Sequence, residues 1–264
     1  MRNIKLNLLK KPFVVLALFF IISSVIANTA FASNEYSWYI KRNGCLRPNI
    51  QKEQELIYKY DGYFIDKKLT DTDEKKVIYL TFDSGYENGN TEAILNILNK
   101  YEVPAAFFVL DNIILKNTDL VTRIADSGHL VCNHTKNHKN LCNASKEEIE
   151  KNLTDLEKIY EEKTGHEMAK FFRFPEGRYS EHALACIKDM GYKTVFWSFA
   201  YDDWDEKHQT DPKKAMKKIL ENTHNGAVFL FHPTSTTNAK IFESLIKEWK
   251  NMGYSFGTLY ELVE

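Results

Sequence analysis

Val77-Ile78-Tyr79-Leu80-Thr81-Phe82 is an unbroken, mostly apolar run, and it ends on a carboxylate, Asp83. Such a run is a strand buried on both faces, the kind found in parallel sheets. A helical stretch with a polar face follows, Glu92 to Tyr101, for which Thr91 is the expected cap. The same unit then recurs. Further strands are expected at Ala105 to Leu110, Leu130 to Asn133, Phe171 to Phe174, Thr194 to Phe199, Ala227 to Phe231 and Tyr254 to Phe256. Further helices are expected at Lys146 to Lys163, Glu181 to Met190, Pro212 to Asn222 and Ala239 to Met252. Ser145, Ser180 and Asp211 stand where caps belong, and Gly165, Gly191 and Gly253 where helices stop. Seven strands alternating with helices define a parallel α/β fold. Periodicity alone leaves a doubly wound sheet and a barrel both open.

The polar residues that carry chemistry cluster at strand ends. Asp83 follows the first strand, His134 and His138 the third, Arg173 closes the fourth, Asp203 lies past the fifth and His232 follows the sixth. Parallel α/β folds build their sites at the carboxyl ends of strands. In His134-Thr135-Lys136-Asn137-His138 the imidazoles are four apart and converge on one ion if the segment takes a turn of helix. Two imidazoles suit zinc or another first-row metal. Asp83 is suited to take a proton from water, and His232 to give one to a leaving group. Arg173 would keep Asp83 ionised, and Asp203 would raise the pKa of His232. Together they describe metal-assisted hydrolysis of an amide or ester.

The ends of the chain set its surroundings. Arg2, Lys5, Lys10 and Lys11 precede a nearly continuous apolar segment, Phe13 to Ile26, and then Ala30-Phe31-Ala32. That segment is shorter than the roughly 20 residues a membrane span needs. Residues 1–32 are therefore expected to be a signal peptide that engages the export machinery and is cleaved after Ala32. Residues 33–75, tyrosine-rich and weakly periodic, are expected to be an arm packed on a domain of residues 76–264. The remaining chain has 31 basic and 36 acidic residues. That balance indicates no basic patch, so nucleic acid is not an expected partner. The four cysteines suggest no disulfide framework, and Cys132 and Cys186 read as buried thiols.

Thr81-Phe82-Asp83-Ser84-Gly85-Tyr86, His134 to His138, Arg173-Phe174-Pro175-Glu176, Asp203-Trp204 and Leu230-Phe231-His232 occur in the order of the five motifs of polysaccharide deacetylases. From Val77 onward the chain resembles this NodB-homology group, carbohydrate esterase family 4. The resemblance implies a distorted seven-stranded (β/α) barrel. It implies Asp83 as base, His232 as acid, Arg173 and Asp203 as their partners, and His134 and His138 as ligands of a divalent metal, zinc above others. It also implies an oxyanion site at the Glu176 backbone N–H and an acetyl pocket lined by Leu230, with Trp204 on the substrate wall. Where most of the family has a second, metal-binding aspartate, this chain has Ser84, so weaker metal binding is expected.

Within the family the chain looks most like the delta-lactam-forming muramic acid deacetylases of spore-forming bacteria, through Tyr79 to Gly89, Thr194-Val195-Phe196-Trp197-Ser198 and the arm from Tyr36-Ser37-Trp38-Tyr39. The implied substrate is the peptidoglycan glycan strand after stem-peptide removal, met by a monomer in the cell wall or the intermembrane space of the developing spore. Arg178 and Lys136, in the motif loops, would receive the lactyl carboxylate. Alternatives are another acetylated glycan, a carbohydrate-binding protein on the same fold, and a glycosidase using Asp83 with Glu176.

Overall fold

The computed structural model describes residues 34–264, so the expected export segment lies outside the described residues. In chain order the strands are β1 (Tyr36–Ser37), β2 (Gly62–Tyr63), β3 (Lys76–Ser84), β4 (Ala106–Val109), β5 (Leu130–Asn133), β6 (Ala169–Phe172), β7 (Arg178–Tyr179), β8 (Lys193–Val195), β9 (Val228–Phe231) and β10 (Tyr254–Phe256). The helices are α1 (Lys52–Lys59), α2 (Asn90–Lys100), α3 (Asp111–Lys116), α4 (Thr118–Asp126), α5 (Lys146–Thr164), α6 (Glu181–Asp189), α7 (Pro212–Leu220), α8 (Thr236–Asn251) and α9 (Leu259–Val263).

All seven expected strands are present, as β3, β4, β5, β6, β8, β9 and β10, and each runs parallel to its neighbours. β9 lies along Tyr79 to Phe82 of β3, and β10 along Lys76 to Ile78. Beyond β8 a parallel bridge joins Phe199 to Phe229, so the sheet curls into a distorted barrel. The expected strand Thr194 to Phe199 breaks at this point. Phe196 N–H donates to the Tyr63 carbonyl, whereas Ser198 N–H donates to Val228, so the chain changes neighbours within one apolar run.

Alternation along the strands decides what faces inward. Val77 and Tyr79 on β3 cluster with Ala106, Phe108, Cys132, Phe171, Val195 and Val228, closed below by Leu259 and Leu262. Ile78, Leu80 and Phe82 belong to a second cluster with the helices, around Phe107, Phe229, Phe231, Phe242 and Trp249. Side chains two residues apart share a face. Thr81 and Asp83 therefore continue the inward row of β3. His134 continues from Cys132, Arg173 from Phe171, Trp197 from Val195, and Leu230 and His232 from Val228. The apolar barrel interior thus becomes a polar site at one end.

Caps follow their chemistry, with one exception. Ser145, Ser180 and Asp211 each accept backbone N–H groups at the starts of α5, α6 and α7. Thr91 does not cap α2. The capping position is Gly89, at φ 95°, and the buried Thr91 hydroxyl has no partner among the described residues. Cys132 and Cys186 are buried.

Residues 34–75 do more than drape over the barrel. They contribute α1, which periodicity did not reveal, and β2, which extends the sheet beside β8. Trp38 packs between Phe64 and Phe196 at 4.8 and 4.6 Å, and its indole N–H donates to the Trp197 carbonyl at 2.9 Å. Losing this side chain to alanine should cost about 3–5 kcal/mol. Gly177 is a glycine for the same contact. At φ 65°, any Cβ there would stand 2.9 Å from the Trp197 ring and 3.0 Å from Trp38.

Candidate active site

Asp83, at the end of β3, accepts from Arg173 Nη1 at 2.8 Å. Arg173 is fully buried. Its Nε and Nη2 donate to the carbonyls of Val195 and Phe196, and its guanidinium lies 4.2 Å from the Phe108 ring centre. The fork is thus held on three sides and presents one arm to Asp83. Burial pushes the Asp83 carboxyl up, but Arg173, then His134 and His232, outweigh burial and hold it below the usual carboxylate range.

His134 Nε2 stands 3.5 Å from Asp83 Oδ2, and its Nδ1 is 2.9 Å from the Arg173 carbonyl. That carbonyl can only accept, so Nδ1 carries the proton and Nε2 keeps its lone pair. Burial pushes the imidazole down to about 4, so it is neutral near pH 7. His138 meets it edge to face, with ring centres 5.1 Å apart. The route differs from the expected helical turn. Thr135 and His138 have φ of 67° and 59°, so the segment is a left-handed loop, and His138 is exposed. Among the described residues no three His, Cys, Asp or Glu side chains form an ion-holding cluster. Ser84 Oγ is buried without a hydrogen-bond partner among these residues, and Ser84 lines the same cavity. One fixed imidazole lone pair, a second imidazole and an unpaired hydroxyl fit a first-row divalent ion, with less negative charge than a carboxylate ligand would bring.

Across the cavity, His232 follows β9. Its Nδ1 lies 2.8 Å from Asp203 Oδ1, and its backbone N–H donates to Asp203 Oδ2. Burial pulls this imidazole down, but the Asp203 carboxylate outweighs burial and raises it. Asn238 on α8 donates to Asp203 Oδ2 at 2.6 Å and to the His232 carbonyl, and it accepts from the Tyr201 hydroxyl. Asn238 and Tyr201 carry no motif signal; the structure shows Asn238 N–H donating to the Ser235 hydroxyl at the start of α8, which fixes its place.

These groups share a cavity of about 840 Å³, within the range of ligand sites. Asp83, Ser84, His134, His138, His232, Leu230, Trp204 and Glu176 all line it. Glu176 sits at φ 57° in the turn Pro175–Gly177, a conformation that costs a non-glycine residue about 1–3 kcal/mol. Arg178 and Lys136 are not among the lining residues. Arg178 is paired with Glu35 and, at 3.6 Å, with Glu176, while Lys136 faces Asp155 at 3.5 Å. Their expected task as carboxylate receptors does not fit these positions. Sequence reasoning missed Arg42, Tyr86 and Trp197, which do line the cavity.

Residues 70–195 match the model of the polysaccharide deacetylase family. An uncharacterized 30.6 kDa protein of Geobacillus stearothermophilus is 37% identical over 238 residues, covering 89% of this chain and 88% of that one. The peptidoglycan-N-acetylmuramic acid deacetylase PdaA of Bacillus subtilis is 33% identical over 236 residues, again 89% and 88% of the two chains. Its structure, titled a family 4 carbohydrate esterase, aligns with a TM-score of 0.81 over 87% of this chain and 97% of that one. A peptidoglycan-N-acetylglucosamine deacetylase of Bacillus cereus is 30% identical over 194 residues, 72% of this chain and 89% of that one. The chain belongs to the polysaccharide deacetylase family, the family 4 carbohydrate esterases, and has their distorted barrel.

Proposed function

We propose that the protein is exported and hydrolyses the N-acetyl group of muramic acid in peptidoglycan strands freed of stem peptide, as a step toward the muramic δ-lactam of the spore cortex. The observation that carries this is a pair of oppositely tuned proton carriers in one cavity. Asp83 is kept ionised by Arg173, and His232 is kept protonated by Asp203. Two relatives match over 238 and 236 residues, long enough to take in the arm as well as the barrel, and one of them is named for muramic acid, whereas the match to the glucosamine deacetylase is about as long as the barrel alone.

The residues then act as follows. Leu230 and the cavity wall receive the acetyl methyl. Asp83 takes a proton from the attacking water as its oxygen bonds to the acetyl carbon. The backbone N–H of Glu176 serves the carbonyl oxygen as its charge grows. His232 gives its proton to the amide nitrogen, the C–N bond breaks, and acetate and a free amine result. Arg173 sets Asp83 up as a carboxylate and Asp203 sets His232 up as an imidazolium before these proton transfers. A divalent ion held by His134 and His138, with Ser84 beside them, supplies Lewis acidity when bound; zinc matches the imidazole donors. The freed amine on C2 neighbours the lactyl carboxyl on C3, so closing the lactam releases one water.

The test is muropeptide mass spectrometry after incubating the protein with peptide-free peptidoglycan, with chelator and with added zinc. Loss of acetyl from muramic residues is the expected result; acetyl loss from glucosamine residues alone would reject it. Ser84, which brings no charge to the ion, favours a second reading as a non-catalytic glycan-binding protein. Acetate release by the wild type that disappears in Asp83→Ala would exclude that reading.

A further inference from the structure

Muramic acid differs from glucosamine by the lactyl ether on C3, next to the acetamido group on C2. When the acetyl carbon is placed against Asp83, the lactyl carboxylate on the neighbouring ring carbon comes within reach of the same cavity wall. Three carboxylates already line that cavity, those of Asp83, Asp202 and Glu176. Two of these already have cations of their own, Arg173 for Asp83 and Arg178 for Glu176, so an anionic sugar substituent needs a further cation set into the wall. Arg42, in the segment between β1 and α1, is the only guanidinium or ammonium group among the described lining residues.

Its anchoring is specific. Arg42 Nη2 donates to the Ala200 carbonyl at 2.5 Å, and the guanidinium lies 5.2 Å from the Phe199 ring centre. Neither partner carries negative charge, so its charge is left for a ligand. Arg178 differs on this point, since it does not line the cavity and Glu35 and Glu176 already neutralise it. Phe199 and Ala200 follow β8, where the barrel closes on β9, so Arg42 is fixed to the wall that carries Leu230. Trp38, a few residues earlier, pins the same arm to Trp197.

We propose that Arg42 is the receptor for the lactyl carboxylate, an anion subsite that the arm contributes to the barrel; this rests on the muramate reading above. The planar fork suits a carboxylate, and the uncharged anchors leave the remaining N–H groups to donate to it. The subsite recognises the free acid and not its amide, which ties activity to strands whose stem peptide has been removed.

The experiment compares three substrates for wild type and Arg42→Gln: peptide-free glycan, the same glycan with its lactyl carboxyls converted to methylamides, and chito-oligosaccharides. Glutamine retains an N–H for the Ala200 carbonyl but no charge, and thermal unfolding of each variant checks that the arm stays docked. Wild type should favour the free acid over the methylamide by about ten- to a hundred-fold in kcat/KM, the worth of one charge-assisted hydrogen bond. Arg42→Gln should erase that preference, chiefly through KM. Equal treatment of acid and methylamide by the wild type, or an unchanged preference in Arg42→Gln, would overturn the subsite while muramate deacetylation stands. Acetate release from chito-oligosaccharides alone would overturn the muramate reading itself.

Discussion

On one side of the cavity, His232, Asp203, Asn238 and Tyr201 form a chain in which each polar group meets another at hydrogen-bond distance. On the other side His134 is fixed, but His138 is exposed and Ser84 Oγ has no partner among the described residues. The His232 side is organised by the protein itself. The side with the two imidazoles, the proposed ion site, has donors that the described side chains do not satisfy. Asp83, the proposed base, sits between them and borrows its order from Arg173. What the described residues supply by themselves is the pair of proton carriers, with charge states set by Arg173 and Asp203.

Four substitutions test this contrast. Asp83→Asn should lower kcat by about 10³-fold, the scale of a lost general base, measured by acetate release; a loss below tenfold would break the assignment. Arg173→Met leaves Asp83 nearly buried with no guanidinium and should lower stability by about 3–5 kcal/mol, read from urea unfolding. Asp203→Asn should cost about 10²-fold at neutral pH and also move the pH profile. His232 is raised by Asp203, so its acid form persists below that raised pKa and is lost above it. Without the carboxylate the pKa falls, and the alkaline limb must shift to lower pH; a limb that stays in place would remove His232 as the acid. Ser84→Asp should have the smallest effect and opposite signs in two states. The ion-free protein loses about 1–3 kcal/mol through a buried unpaired charge, and zinc affinity rises about tenfold, 1.4 kcal/mol. Melting curves with and without zinc read both, and identical zinc shifts in wild type and variant would show that Ser84 does not face the ion.

Much of this was legible in the chain. The strands announced themselves because burial on both faces demands unbroken apolar runs, and residues just past their ends had to sit at one rim of the barrel. That placed Asp83, His134, Arg173 and His232 without any contact being known. What stayed hidden depended on the path of the backbone through loops. The histidine spacing looked helical, but left-handed turns at Thr135 and His138 produce the contact instead. Arg178 carries a motif position yet faces Glu35, a partner more than a hundred residues away. Arg42 lies in a weakly periodic segment, and its place at the cavity depends on long-range contacts, its own with Ala200 and Phe199 and that of Trp38 with Trp197. β2 is two residues long, too short to leave a pattern.

The alternation along β3 divides its labour residue by residue. Ile78, Leu80 and Phe82 lean into the helices, whereas Thr81 and Asp83 belong to the barrel interior and the site. In a saturation-mutagenesis map of this strand, tolerance should therefore beat with a period of two. Apolar exchanges should pass at the even positions and register as changes in abundance. At position 83 activity should vanish for every substitution, and abundance should fall most where the replacement leaves the buried Arg173 guanidinium with no acceptor. A one-residue deletion between Leu80 and Asp83 would swap the two registers and silence the enzyme without removing a single reactive group.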